Sequence, residues 1–187
     1  KSGAQATATV QNLLDFASSH QGKKQNINIA HILDHSIALA GSLYAQPNGL
    51  SFNDIALNRE YAEDVPNVPC FTVEMQQVFL RLLRHAFYAL CDRASGTGFV
   101  PVINVEVGNF YDSVWIKIQH NGNGLSPEAQ QDIFEPFFSN TTTLGGCAVE
   151  QRLSYSHFII TDHHKGKIAV TSSEDVGTTF HIQLPLE

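Results

Sequence analysis

The sequence predicts an α+β fold, a two-layer α/β sandwich with helices on one face of a mixed, mostly antiparallel sheet. Three observations predict it. Residues 73–92 place Met75, Val78, Phe79, Leu82, Leu83, Ala86 and Leu90 on one wide helical stripe. Residues 100–110 and 113–119 alternate apolar and polar side chains around a GNFYD turn, the period of a half-buried hairpin. A second pair, 167–172 and 177–185, repeats that pattern around SEDVG.

Taken in order, residues 9–19 form a first helix, with Val10, Leu13, Leu14 and Phe16 on one stripe and Ala17 beside it. The run Gly22, Lys23, Lys24 breaks it. A second helix is expected over 29–45, capped by Asn26 or Asn28, with Ile32, Leu33, Ile37, Leu39 and Ala40 mostly on one side. Residues 46–49 turn the chain, and 50–62 read as extended through the alternation of Ile55, Leu57 and Tyr61. Pro66 and Pro69 keep 64–69 a loop. Ser126 caps a short helix that has Pro127 in its first turn. A polar, Thr-rich loop follows over 139–146, then a helix over about 148–164 that Gly166 ends.

The composition bounds the function. An apolar share of 43% and a charged share of 16% suit one soluble domain with a short appended element. A net charge of -7 argues against nucleic acid, since phosphate neutralisation needs clustered cations. The nearest such cluster, Arg81, Arg84 and Arg93, reads as the solvated face of a helix. Cys70, Cys91 and Cys147 are an odd number without close pairing, which suits reduced thiols in the cytoplasm. The opening KSGAQATATVQ lacks the apolar core of a secretory signal, and no run reaches the roughly 20 residues of a membrane helix. The expectation is a cytoplasmic segment of a longer protein.

Three landmarks occur in order: IQHNGNGL at 118–125, IFEPFF at 133–138, and KGKI at 165–168 followed by GTTFHIQLP at 177–185. They resemble the glycine box, the phenylalanine box and the closing strand pair of the Bergerat ATP-binding fold, in its sensor histidine kinase branch. The helix QQVFLRLLRHAFYAL, 76–90, resembles that family's asparagine box. VQNLLDFAS, 10–18, resembles the end of its second dimerisation helix. The resemblance implies residues 1–24 as dimerisation helix and linker, and 25–187 as the ATP-binding domain. It implies ATP and Mg²⁺ as cofactors, with ATP-site positions at His85, His120, Gly122, Gly124, Phe134, Phe138 and Gly146, and His85 at the Mg²⁺ position. As partners it implies upstream phosphoacceptor helices, a cognate response regulator and a second copy of the full-length chain.

Several of those positions depart from the pattern. His120 stands where the family has an Asp that accepts from the adenine amino group; imidazole is bulkier and has one acceptor at most. His85 stands where an Asn oxygen binds Mg²⁺, and Arg81 replaces an Asn one turn earlier. Mg²⁺ favours oxygen ligands over imidazole. The phosphate-gripping Gly-Thr-Gly-Leu-Gly-Leu is matched by AVEQRL (148–153), or by LGGCA (144–148), which keeps Gly146. The glycine pattern is broken in both registers. His163 and His164 beside Asp162 invite a zinc reading, but no spacing closes such a site. The expected function is that of a histidine-kinase ATP-binding domain with weak or no ATP binding. The alternatives are an active kinase in which His120 or Asn121 meets the adenine, and a pseudokinase scaffold or phosphotransferase that docks a response regulator.

Overall fold

The computed structural model describes residues 22–94, 98–135 and 153–187. The expected first helix, the Thr-rich loop, Phe138, Cys147 and Gly146 lie outside them.

Strand β1 (Gln25–Ile27) leads into helix α1 (Ile29–Leu43). Asn28 is the cap: its side-chain oxygen accepts from the Ala30 N–H at 3.0 Å, leaving Asn26 in β1. The stretch expected to be extended from residue 50 divides in two. A 3₁₀ turn covers Phe52–Asp54, and strand β2 covers Ala56–Tyr61. The expected loop at 64–69 also ends in a strand, β3 (Val68–Cys70), which pairs antiparallel with β1. Pro69 is tolerated there because a two-stranded ribbon leaves free edges.

Helix α2 (Thr72–Arg93) is the long helix the apolar stripe predicts. It is followed by β4 (Val102–Phe110), β5 (Ser113–His120) and the short helix α3 (Pro127–Asp132). The Ser126 hydroxyl accepts from the Ala129 N–H at 3.1 Å, as its cap position requires. Helix α4 (Ser154–Phe158) passes into a π-helical turn over Ile159–His163. The backbone turns out of it at Lys165, whose φ is 54°, and not at Gly166. Gly166 is small for another reason: a Cβ there would meet the carbonyl oxygen of Gln183. The last strands are β6 (Lys167–Ser173) and β7 (Gly177–Pro185).

The five-stranded sheet has the order β2-β4-β5-β7-β6, parallel between β2 and β4 and antiparallel elsewhere. One face of its three central strands is mostly apolar: Ile103, Val105 and Val107, then Val114, Ile116 and Ile118, then Phe180, Ile182 and Leu184, with His120 and Thr178 buried at its end. The stripes of α1 and α2 complete that core, with Ile29, Leu33, Met75, Phe79, Leu82, Leu83 and Leu90 wholly buried. The expected two-layer sandwich is therefore the observed one.

Candidate functional site

Of the expected positions, His85, His120, Gly122 and Gly124 lie where the end of β5 passes α2 and the end of β6. His120 is the last residue of β5, and its ring lies 5.9 Å from that of His85 on α2. Both side chains are buried, at 2% and 8% exposure. The His85 ring stands edge-on to Phe180 at 5.3 Å. Burial pushes the His85 imidazole down to about 4; burial and the neighbouring His85 push His120 down to about 3. Both rings are therefore neutral near pH 7.

Neutrality fixes what His120 can offer. Its Nδ1 accepts from the Gly122 N–H at 3.0 Å, so the single proton of the ring sits on Nε2. That Nε2–H is buried and has no partner among the described residues; the same holds for Nδ1 of His85. The imidazole thus presents a donor at the position where the resemblance leads one to expect a carboxylate.

Two glycines let backbones approach one another beside it. A Cβ on Gly122 would lie 2.6 Å from the carbonyl carbon and oxygen of Ala89 on α2. A Cβ on Gly124 would meet the Ser173 carbonyl at the end of β6. Neither glycine has a positive φ. Close approach, not left-handed backbone, is what requires them. Asn121 is committed to the sheet: its side chain accepts from the Val102 N–H at 2.8 Å and donates to the Val100 carbonyl at 2.9 Å. It cannot meet an adenine without releasing the start of β4.

Arg93 is the residue sequence reasoning missed. Its guanidinium donates to the carbonyls of Asn121, Gly122 and Asp175, at 3.2, 3.4 and 2.9 Å, tying α2 to the glycine turn and to the β6–β7 turn. The solvated face expected for the three arginines is corrected in part. Arg84 is exposed and lies over Tyr88, whereas Arg81 is half-buried with its guanidinium 5.2 Å from the Tyr155 ring. Phe134 is half-buried against the core and packs on His157 at 5.5 Å, a structural contact.

The surroundings of His85, the residue expected at the Mg²⁺ position, are not those of a Mg²⁺ ligand. The His85 ring is flanked by those of Phe180 and His120. Among the described residues no group of three His, Cys, Asp or Glu side chains could hold a metal ion. The histidine pair at the end of the π turn is likewise engaged. His163 Nδ1 lies 2.9 Å from the buried Glu74 carboxylate. His164 accepts from the Phe71 N–H at Nε2 and donates to the Ile159 carbonyl from Nδ1.

Residues 72–187 match the family described as histidine kinase-, DNA gyrase B- and HSP90-like ATPases. The chain belongs to that family. Within it, the relatives are sensor kinases. Sporulation kinase E of Bacillus subtilis is 30% identical over 144 residues, 77% of this chain and 18% of that protein. The sensory histidine kinase/phosphatase NtrB of Rhizobium leguminosarum is 27% identical over 179 residues, 91% of this chain and 43% of that protein. The chain thus spans less than half the length of these relatives. The catalytic domain of histidine kinase ThkA, in a nucleotide-free form, superposes with a TM-score of 0.68 at 22% identity. That comparison covers 88% of this chain and 99% of the other, and it shows the shared Bergerat-type fold. No helix among the described residues is long and apolar enough to cross a membrane.

Proposed function

We propose that this chain is the ATP-binding domain of a two-component sensor histidine kinase in which Mg-ATP binding has been weakened or lost. The observation that carries this reading is the His120 ring, neutral and with its one acceptor nitrogen already taken by the Gly122 N–H. An adenine amino group brought to that position faces an N–H donor in place of a carboxylate. Losing a charge-assisted hydrogen bond costs about 1.5–3 kcal/mol, roughly ten- to a hundredfold in affinity. The imidazole at the Mg²⁺ position adds to that loss.

On this reading residues 1–24 end a dimerisation helix and 25–187 form the domain itself, in the cytoplasm. The full-length protein dimerises through upstream helices and docks a response regulator or an active kinase, acting as a scaffold. Calorimetric titration of the purified chain with Mg-ATP tests the reading. The expected result is no binding in the micromolar range; a micromolar dissociation constant sinks it.

A further inference from the structure

We propose that the end of the sheet remote from His120 docks an acidic peptide segment of a partner protein. Ser113 and His120 are the two ends of β5, about 23 Å apart along an extended strand. Beside Ser113, a cavity of about 170 Å³ lies between the β4–β5 turn, the start of β6 and the end of β7. Asp112, Lys165, Lys167 and Gln183 on its wall are exposed, so it is reached from solvent. Its frame is fixed by hydrogen bonds. The buried Ser113 hydroxyl accepts from the Gln183 side chain at 3.0 Å and donates to the Phe110 carbonyl at 3.1 Å. The Leu186 N–H donates to the Asp112 carbonyl at 2.9 Å, and the Gly166 N–H to that of Ile160 at 2.8 Å.

Charge selects the occupant. The chain as a whole carries a net charge of -7, and most of its cations are engaged. Arg59 and Lys117 pair with carboxylates, Arg81 and Arg84 lie over aromatic rings, and Arg93 holds backbone carbonyls. Lys165 and Lys167 have no ion pair among the described residues, not even with Asp112 on the same wall. The cavity falls well short of the roughly 300 Å³ at which small-molecule pockets begin, but it admits a carboxylate side chain. Phe110 and Tyr111, on the turn that supplies Asp112 and Ser113, are 65% and 86% exposed with ring centroids 4.4 Å apart. Exposed aromatic side chains of this kind are the commonest anchors of protein interfaces. An inorganic anion would use the lysines alone. A peptide also offers an apolar side chain to the aromatic pair and a backbone N–H to the Asp112 carboxylate.

The test titrates the purified chain with capped hexapeptides and follows its backbone amides by nuclear magnetic resonance. One peptide alternates glutamate and leucine, a second lysine and leucine, a third glutamate and serine; inorganic phosphate is the fourth probe. The glutamate–leucine peptide is expected to saturate in the millimolar range and to shift the amides of residues 110–113, 165–167 and 183. The other three probes should shift them at least about fivefold less tightly, the worth of one exposed ion pair or contact. Lys165→Gln with Lys167→Gln should weaken the first peptide by a similar factor, and added salt should do the same by screening. No shift, shifts centred elsewhere on the chain, or equal binding of the lysine–leucine peptide overturns the proposal. Equal binding of the glutamate–serine peptide or of phosphate also overturns it, because the surface then reads an anion and not a peptide. The unmodified chain decides among these outcomes, so nothing hangs on the variant folding. No probe is a nucleotide, so the Mg-ATP affinity that tests the proposed function is a separate result.

Discussion

At the scale of single residues, the departures proposed for the site lie at positions that are easy to change. On the proposed reading, the double variant His85→Asn, His120→Asp returns an oxygen to the metal position and a carboxylate to the base position. The new carboxylate can accept from the Gly122 N–H that His120 now engages. Calorimetry should show Mg-ATP affinity rising about ten- to a hundredfold over the unmodified chain. No gain would place the limit instead in residues 139–152, whose glycines do not follow the expected pattern. Gly122→Ala probes the scaffold around the same site. Its Cβ, 2.6 Å from the Ala89 carbonyl, forces the glycine turn away from α2. Denaturant unfolding should report a loss of about 1–3 kcal/mol. The presence of these glycines was plain in the sequence, but the reason for them was not. A tight turn is a local property, whereas contact with Ala89 depends on how α2 lies against the sheet.

Among elements, legibility followed the range of the interactions that make them. Helix α2 and the strands β4, β5, β6 and β7 each carry a strong internal period, and the expected bounds lie within about two residues of the observed ones. Strand β3 has three residues, one of them Pro69, and exists because β1 pairs with it from more than 40 positions away. No local pattern announces that. The π turn after α4 is equally silent, since its i→i+5 bond from the His164 N–H to the Ile159 carbonyl leaves the apolar spacing nearly helical. Arg93 was misread for the same reason, its acceptors lying 28 to 82 residues away. The junction between α2 and the π turn has its own test. Glu74 is wholly buried in the first turn of α2 and lies 2.9 Å from His163 at the end of the π turn. Removing one member of a buried pair leaves its partner without compensation, so Glu74→Ala should cost about 3 kcal/mol in urea unfolding. A cost below about 1 kcal/mol would show that the pair does not join the two elements.

For the whole molecule, the order of glycine box, phenylalanine box and closing strands carried the family, because that order mirrors the succession of sheet and helix layers. The chemistry was legible only as departures from a pattern. The physical consequence of His85 and His120 needed the structure, since a histidine in a sequence says nothing of its burial. That burial makes folding stability depend on pH in a definite direction. In the unfolded chain both imidazoles protonate near 6.5; in the folded one they protonate only near 4 and 3. Between those values the unfolded state holds more protons, so stability rises with pH. The contribution is complete above about pH 6.5 and is lost progressively as the pH falls towards the folded values. His164, lowered chiefly by burial, acts in the same sense. Each fully neutral buried histidine adds a slope of about 1.4 kcal/mol per pH unit within its window. His85→Phe isolates one of these slopes, because a phenyl ring can keep the edge-on contact with Phe180 and does not titrate. Unfolding free energies measured from pH 4 to 6.5 should rise less steeply with pH in this variant than in the parent, by about one proton's worth. An unchanged slope would mean that His85 takes up its proton without unfolding, which the burial of its ring opposes.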